Sequence, residues 1–377
     1  MSILTACSSD DNNDNDGNGG NGNGNEIENG TILKGTITSD VTLAAGNTYK
    51  LSGEYIVEEG ATLHIEEGVK IIAVYDDIAD YILVKQGGKI NAVGTPDKPI
   101  VMTSEKEEPG AWGGIHICGR AHTNAEGGKG SSEIGGAVYG GNDDADNSGT
   151  LQYIRLEYTG FAFDEEHEAN GISFYGVGNG TIVDHCQAYK GSDDGFEFFG
   201  GSVNVSNLVA VSCSDDSFDW TEGWNGKGTN LVAYQEDKST LGYDCDCLME
   251  CDNNGSNNAA TPVAHPVLKN LILVGNGGSK QGIRLRAGTE VEIDNAKVCG
   301  KGQPLTVETA LTENALKNGT SKLTNITLTS ELSSKEGIYT HADFIAVTSN
   351  KVDANLSYSS FEDIRKECSW MNGSWVK

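Results

Sequence analysis

The sequence predicts an all-β fold, a single-stranded right-handed parallel β-helix with about 22–25 residues per coil and capping segments. Three observations predict it: the composition, an asparagine that recurs once per repeat, and a second strand that recurs with the same period. The 377 residues include 50 Gly but only 6 Pro, and short runs rich in Val, Ile, Tyr and Thr alternate with Gly, Asn, Asp and Ser. Such runs bounded by turn residues are typical of short β-strands joined by tight turns.

A polar residue, an asparagine and an alternating apolar run recur along the chain. The asparagine position is occupied by Asn207, Asn230, Asn270, Asn295 and Asn325, and by Tyr153 and His185 in earlier copies. The first and third residues after it are small or apolar, so they point into a core. Asparagine tolerates the left-handed conformation at a bend, and its amide can bond the same amide one coil away. This pattern favours a solenoid over a propeller or a sandwich.

A second strand repeats with the same rhythm. Its copies are 114–117, 170–174, 194–198, 216–220 and 281–285, and the run Cys245–Met249 fits with a register defined to about one residue. Side chains at alternate positions point outward. We therefore expect one outward stack across the coils, formed by His116, Ser173, Glu197, Asp219 and Arg284.

The chain divides into four parts. Residues 1–30 form an anchor region and an Asn/Asp/Gly-rich tether that is too polar to fold, and residues 31–110 form the N-terminal coils and a cap. Residues 111–339 form the main β-helix. Residues 340–377 lose the repeat, and we expect this aromatic segment to close the open edge of the last coil.

The N-terminus carries an export signature. Leu4-Thr5-Ala6-Cys7 resembles a bacterial lipobox, in which the cysteine is acylated, and Ser8-Ser9-Asp10-Asp11 is similar to the acidic export signal of Bacteroides-type surface lipoproteins. We therefore expect a lipid on Cys7 and a position at the outer membrane or cell surface, facing the exterior or the periplasm.

The charge balance excludes several classes of function. A formal net charge of −29 opposes binding to nucleic acid and to acidic membranes. No run of about 18 apolar residues follows the N-terminus, so a transporter is excluded. We expect a monomer that meets the membrane only through its lipid.

Three stretches carry a family resemblance: Trp112-Gly113-Gly114-Ile115, Tyr139-Gly140-Gly141-Asn142 with Asp146-Asn147-Ser148-Gly149, and the run 192–201, SDDGFEFFGG. They resemble a family of secreted or surface right-handed β-helix proteins of Bacteroidota and marine bacteria. The resemblance covers residues 30–377 and implies the pectin-lyase-like fold. It implies no particular reaction.

Six acidic residues recur at an interval of 22 and should meet on two adjacent coils: Asp193, Asp194, Glu197, Asp215, Asp216 and Asp219. Carboxylates this close must share protons, bind a cation or stay well solvated. An oxygen-only cluster suits Ca²⁺. The alternative is a structural ladder in which aspartate replaces asparagine and accepts backbone N–H bonds.

Two functions remain open. The first is a non-catalytic surface module that binds a polysaccharide or a surface protein, with His116, Glu197, Asp219, Arg284 and Arg286 as ligand-binding candidates. The second is a calcium-assisted polysaccharide lyase, with Arg284 or Arg286 as base, or a glycoside hydrolase; the Asn-Thr-Asp and Gly-His-Gly motifs of pectin-type hydrolases are missing. Sequence reasoning favours binding. Exposed aromatic residues on the solenoid would support it, and Tyr158, Phe161, Phe163, Tyr175 and Tyr189 cluster in this region, but most of them are expected to belong to the core, because Phe and Tyr dominate β cores too.

The cysteines allow more than one reading. Cys186 and Cys299 are predicted to be free thiols pointing into the core. Cys245, Cys247 and Cys251 lie close together in sequence and could pair with Cys118 or Cys213 in an oxidising compartment. Zinc is the third reading, although no histidine lies at a usual zinc spacing.

Overall fold

A computed structural model of the chain describes residues 25–76, 78–163 and 168–377. The predictions about Cys7 and the tether up to residue 24 lie outside the described residues. Twenty-seven strands and four α-helices are described. The strands of the first coils are β1 Asn25–Ile27, β2 Ile32–Ile37, β3 Val41–Leu43, β4 Thr48–Val57, β5 Thr62–Ile65, β6 Lys70–Ala73, β7 Tyr81–Val84, β8 Lys89–Val93 and β9 Ile100–Ser104.

The remaining elements complete the solenoid and its C-terminal end. They are β10 Ile115–Cys118, β11 Gly130–Ser131, β12 Val138–Tyr139, β13 Gly149–Glu157, β14 Ile172–Tyr175, β15 Ile182–Tyr189, β16 Phe196–Phe199, β17 Asn204–Val211, β18 Phe218–Thr221, β19 Lys227–Tyr234, α1 Lys238–Leu241, β20 Met249–Cys251, β21 Val267–Val274, β22 Gln281–Leu285, β23 Glu292–Cys299, β24 Gln303–Val307, α2 Ala310–Asn318, β25 Lys322–Leu328, β26 Ser333–Ser334, α3 His341–Ala346, β27 Lys351–Val352 and α4 Phe361–Glu367.

The strands build a right-handed parallel β-helix with three faces, as the sequence predicts. The first face stacks β7, β10, β14, β16, β18, β20, β22 and β24 in parallel. The long strands β13, β15, β17, β19, β21, β23 and β25 bend in the middle, so their first halves form the second face and their second halves the third. Among the named strands of the described residues, only β11 and β12 pair antiparallel, in an insertion between β10 and β13; an isolated antiparallel bridge also joins Ala162 and Glu168.

Apolar side chains fill the interior in stacked rows. On the first face Phe196 stacks on Phe218 with ring centroids 5.6 Å apart, and Phe174 stacks on Phe198 at 5.0 Å. These rings are almost fully buried. Parallel strands place equivalent side chains one above another, so each coil covers the apolar row of its neighbour.

The asparagine corner separates the second and third faces, and its prediction is confirmed. Asn207, Asn230, Asn270, Asn295 and Asn325 all have φ between 55° and 63°. The amide of Asn230 donates to that of Asn207 at 2.8 Å, Asn270 to Asn230 at 3.0 Å, and Asn295 to Asn270 at 2.8 Å. Asparagine is used here because it tolerates positive φ and can both donate and accept along the row.

The C-terminal residues do two different things. Phe344 of α3 and Leu316 of α2 join the interior core, so these helices cover the last coil. Residues 353–377 instead run back along the outside of the third face. There Ile364, Met371 and Trp375 pack on outward side chains such as Val209, Val232 and Ile272. The aromatic tail therefore covers a side of the solenoid rather than its open edge, because the third face presents apolar residues outward.

All eight cysteines among the described residues are buried and free, so no disulfide joins them. Cys186 lies in the interior core as predicted. Cys299 was expected to point inward, but it packs with the C-terminal tail on the outside of the third face. It is the fourth residue after the corner asparagine, Asn295, and even-numbered positions there face outward.

Candidate functional site

The outward stack on the first face forms in the predicted order, with one addition. Glu197 pairs in register with Asp219, Asp219 with Glu250, and Glu250 with Arg284. The predicted copy Cys245–Met249 is displaced by two residues, because β20 aligns Cys251 with Trp220. The loop before β20 is longer than in the preceding coil, so counting a constant period misplaces the strand and misses Glu250.

These side chains open into a pocket of about 360 Å³ at the corner before the first face. It is lined by ten carboxyl groups, one amide and one guanidinium: Glu133, Glu168, Asp193, Asp194, Glu197, Asp215, Asp216, Asp219, Asp246, Glu250, Asn170 and Arg284. All six acids of the predicted cluster are among them. The structure therefore brings the predicted cluster together and adds acids from neighbouring coils and from the insertion between β10 and β13.

The corner beside the pocket is also a hydrogen-bonded ladder. The side-chain oxygen of Asn170 accepts the backbone N–H of Asp194 at 3.2 Å, and Asp194 accepts that of Asp216 at 2.8 Å. Asp216 then accepts the backbone N–H of Cys247 at 2.6 Å. Each aspartate uses Oδ1 in this way, which leaves its second oxygen for the pocket. The structural ladder and a pocket of acids thus coexist at one corner.

The deepest acids resist ionisation. Burial first, and then repulsion from Asp193, raises the pKa of Asp194 well above its usual range. Burial followed by repulsion from Asp219 does the same to the pKa of Asp216. Glu197 and Asp219 also have strongly raised pKa values, with burial again the largest cause. Burial disfavours the charged form, and neighbouring negative charge adds to the effect.

The acids nearer the solvent titrate close to neutrality. Burial, and next repulsion from Asp215, raises the pKa of Asp193 to about 7. Loss of hydration within the pocket, followed by repulsion from Asp246, raises the pKa of Asp215 to about 6 although its side chain reaches solvent. The protonation of this rim therefore changes over the physiological pH range.

Several groups of carboxylates are close enough to share an ion. Oxygen atoms of Asp194, Glu197 and Asp219 lie within 4.8 Å of one another, as do those of Asp193, Asp194 and Asp215. Oδ1 of Asp219 is buried and has no hydrogen-bond partner. Carboxylate oxygens in this arrangement are the ligands that Ca²⁺ takes in proteins. A further group combines Asp216, Glu250 and the thiol of Cys247, without a histidine.

The two candidate arginines are held in ion pairs. Arg284 contacts Glu250 at 2.9 Å and Glu308 at 3.2 Å. Arg286 contacts Asp252 at 2.7 Å and also pairs with Glu250. Of the described side chains that line the pocket, only Arg284 is positively charged. Arg286 does not line the pocket, but it follows β22 on the next coil and forms an ion pair with Glu250.

His116 does not reach the pocket. Its ring is fully buried on the first face, with Nε2 2.7 Å from the carbonyl oxygen of Gly113. It packs between Tyr81 and Tyr175, at centroid distances of 6.2 Å to each. Burial also lowers its pKa to about 4, so it is neutral at physiological pH. Outward parity predicted exposure, but the insertion between β10 and β13 covers this part of the face.

Sequence reasoning missed five of the lining residues, namely Glu133, Glu168, Asn170, Asp246 and Glu250. Asn170 could have been predicted, because it occupies the position of Asp194 one coil earlier. In the structure its amide donates to Glu197 at 2.6 Å. Glu133 belongs to an insertion that has no counterpart in the repeat. Its approach to the pocket depends on tertiary packing alone.

A three-faced parallel β-helix with an open acidic cleft on one corner defines the class of protein. The chain matches the family model described as pectate-lyase-like β-helix domain over residues 35–376, and it belongs to that family. No curated protein and no solved structure matches the chain. Within the described residues, no helix is long and apolar enough to cross a membrane.

Proposed function

We propose that the acidic pocket binds calcium and that the bound ion captures a glycan, so that the protein is a calcium-dependent binding module held at the cell surface by a lipid on Cys7. The observation that carries this proposal is that ten carboxyl groups line one cavity. Among the described side chains that line it, Arg284 supplies the single guanidinium. Such a concentration of acid is costly in the absence of a counter-charge.

The cost favours a divalent cation. Two carboxylates about 5 Å apart repel by about 3 kcal/mol at an effective dielectric constant near 20. Protonation relieves this repulsion at low pH, whereas a cation relieves it at neutral pH and draws its ligands into the charged form. Ca²⁺ takes six to eight oxygen ligands in flexible geometry. An ion at the solvent-facing side of this pocket would keep positions for hydroxyl or carboxylate oxygens of a sugar.

Elimination by an arginine base has less support. A base must be able to lose its proton. Burial lowers the pKa of Arg284, but hydrogen bonds and ion pairs with Glu308 and Glu250 outweigh this effect, so the pKa is raised overall. The partnership of Arg286 with Asp252 has the same effect. Binding through the ion requires no such base, which is why we favour a binding module over a lyase.

Glycoside hydrolysis is the second candidate. The carboxyl oxygens of Glu197 and Asp219 approach within 4.8 Å, which is close to the separation of about 5–5.5 Å between the two carboxyl groups of retaining glycosidases. The raised pKa of both groups would suit a general acid. A third carboxyl group, Glu250, lies in register beside Asp219 and contacts both Arg284 and Arg286.

A polysaccharide screen tests the proposal. Plant, algal and host polysaccharides are run in affinity gels with the full-length protein, in millimolar calcium and in EDTA. We expect retardation by at least one polysaccharide in calcium only, without new reducing ends or unsaturated products. Reducing ends that appear with the wild-type protein and vanish in Glu197→Gln would support hydrolysis instead. Equal retardation in EDTA would contradict a role for the ion.

A further inference from the structure

A second cavity, of about 300 Å³, lies between the asparagine corner and the C-terminal tail. Its walls include Asn230, Asn270 and Asn295 on one side and Trp370 on the other, with Ile272 and Lys297 between them. This groove is on a different side of the solenoid from the acidic pocket, because the asparagines separate the second face from the third. Its volume is at the small end of the roughly 300–1,000 Å³ of known ligand sites.

The asparagine side of the groove offers regular hydrogen-bonding groups. A side-chain amide has two N–H donors and an oxygen that accepts two bonds. In the ladder, Asn270 donates one N–H to Asn230 and accepts one hydrogen bond from Asn295. Asn270 and Asn295 are exposed to solvent. Each retains a donor beside an acceptor, and adjacent strands repeat this pair about every 4.8 Å.

The opposite wall is aromatic. Trp370 is half-buried and lines the groove, whereas the four other tryptophans of the chain, Trp112, Trp220, Trp224 and Trp375, are at most 1% exposed. The face of an indole ring is apolar and packs well against the C–H face of a sugar ring, while the N–H at its edge can donate a hydrogen bond. Of the five aromatic candidates named from sequence, Tyr158 and Tyr175 are buried, as expected for core residues, and Phe163 is 39% exposed. None of the five lines this groove.

The groove is close to neutral in a strongly acidic protein. Lys297 forms an ion pair with Glu367 at the tail side of the groove, so their charges offset each other. No other described charged side chain lines it. Donor–acceptor pairs, an aromatic wall and no net charge together match a polyhydroxylated, uncharged ligand.

The geometry points to a binding site for a neutral saccharide in this groove, which acts without calcium and independently of the acidic pocket. The ring of one sugar unit packs against Trp370, and its hydroxyl groups donate to and accept from the amides of Asn270 and Asn295. The C-terminal tail forms one wall, so its return along the third face creates the site.

Tryptophan fluorescence measures this directly, because Trp370 is the one tryptophan with solvent access. The full-length protein is titrated in EDTA with maltotetraose, cellotetraose, mannotetraose and tetra-N-acetylchitotetraose. We expect at least one of them to change the emission saturably and to reduce quenching by acrylamide. Calorimetry with the same oligosaccharide then compares variants. Asn270→Gly and Asn295→Gly keep the left-handed backbone and should weaken binding about tenfold, the equivalent of one hydrogen bond.

Asn325→Gly is the matched control. Asn325 has the same backbone conformation, with φ 57°, and loses a similar ladder bond to Asp294, but it does not line the groove. Its affinity for the oligosaccharide should equal that of the wild type. Trp370→Ala should abolish binding and Trp370→Phe should restore part of it. The inference is overturned if none of the four oligosaccharides binds in EDTA, or if Asn325→Gly loses as much affinity as Asn270→Gly.

Discussion

Asp194 accepts a hydrogen bond from the backbone N–H of Asp216, one coil further along, at 2.8 Å. The acceptor is Oδ1, so the same carboxylate stabilises the corner with one oxygen and faces the pocket with the other. An asparagine could perform the first task, since its amide has one oxygen, but not the second. The presence of aspartate rather than asparagine at this corner therefore supports a role for its second oxygen in the pocket.

This relationship predicts the behaviour of the double variant Asp194→Asn with Asp216→Asn. The amide oxygens keep the ladder, while two mutually repelling acids are removed, so the free energy of unfolding without calcium should rise by about 1–3 kcal/mol. Calcium at millimolar concentration should raise the melting temperature of the wild type and leave that of the variant unchanged. Differential scanning calorimetry measures both.

Asp294→Asn provides the control for that variant. Asp294 is a corner carboxylate that accepts from Asn325 at 2.6 Å and lies outside the pocket. Its replacement removes an acid without touching the pocket and should preserve the calcium response. If the wild type shows no calcium binding in calorimetric titration, the acidic stack is a structural ladder only.

Stability should decrease as the pH rises in the absence of calcium, and calcium should flatten this dependence. The pKa of Asp193 is raised to about 7 and that of Asp215 to about 6. A carboxyl whose pKa is higher in the folded state stabilises the fold fully below its unfolded pKa, near 4, and loses that contribution as the pH rises through the folded value. Without calcium, the free energy of unfolding should therefore fall between about pH 5 and 8.

Urea unfolding at several pH values in EDTA and in calcium tests this. In calcium the decline should flatten, because the ion stabilises the charged carboxylates. Asp193→Asn with Asp215→Asn should flatten it in EDTA as well. Stability that rises between pH 5 and 8 in EDTA would contradict the prediction.

Arg284→Gln separates a structural role of the arginine from a role in binding. Glu250 and Glu308 would lose a partner, which should destabilise the protein by about 1–3 kcal/mol, less than for a fully buried pair because these side chains keep some solvent contact. The pocket would also lose its positive charge, so calcium should bind more tightly. Isothermal titration calorimetry and chemical denaturation provide the two values.

Lys335→Gln is the control for this variant. Lys335 contacts Glu308 at 3.2 Å, but its side chain is 55% exposed, so both values should stay near those of the wild type. Weaker calcium binding by Arg284→Gln would show that the guanidinium supports the ion rather than opposing it.

The proposed anchor predicts the distribution of the protein between membrane and soluble fractions. With Cys7 acylated, the protein expressed in a bacterial host with its native export signal should incorporate a palmitate analogue and partition into detergent. Cys7→Ala should abolish the label and release the protein. Ser8→Ala, one position away, should change neither result. Label that persists in Cys7→Ala would contradict the assignment.

The repeat was readable from sequence because it is enforced locally in every coil. Each corner asparagine needs a positive φ and a ladder partner, and each strand needs alternating inward apolar residues. The same residue types therefore recur about every 22 residues. The same periodicity placed Glu197 over Asp219 correctly. The repeat period and the strand pairing of the first face are sufficient to place the other five predicted acids near Asp194.

What only the tertiary structure decided lies where the period is interrupted. The loop before β20 shifts Glu250 into the stack, the insertion between β10 and β13 brings Glu133 to the pocket and buries His116, and the tail returns along the third face to place Trp370 beside the asparagines. Insertions and tails are not bound by the repeat, so their positions follow from which apolar surfaces remain to be covered. Sequence alone thus determined the solenoid and its acidic corner, and packing determined the complete lining of both cavities.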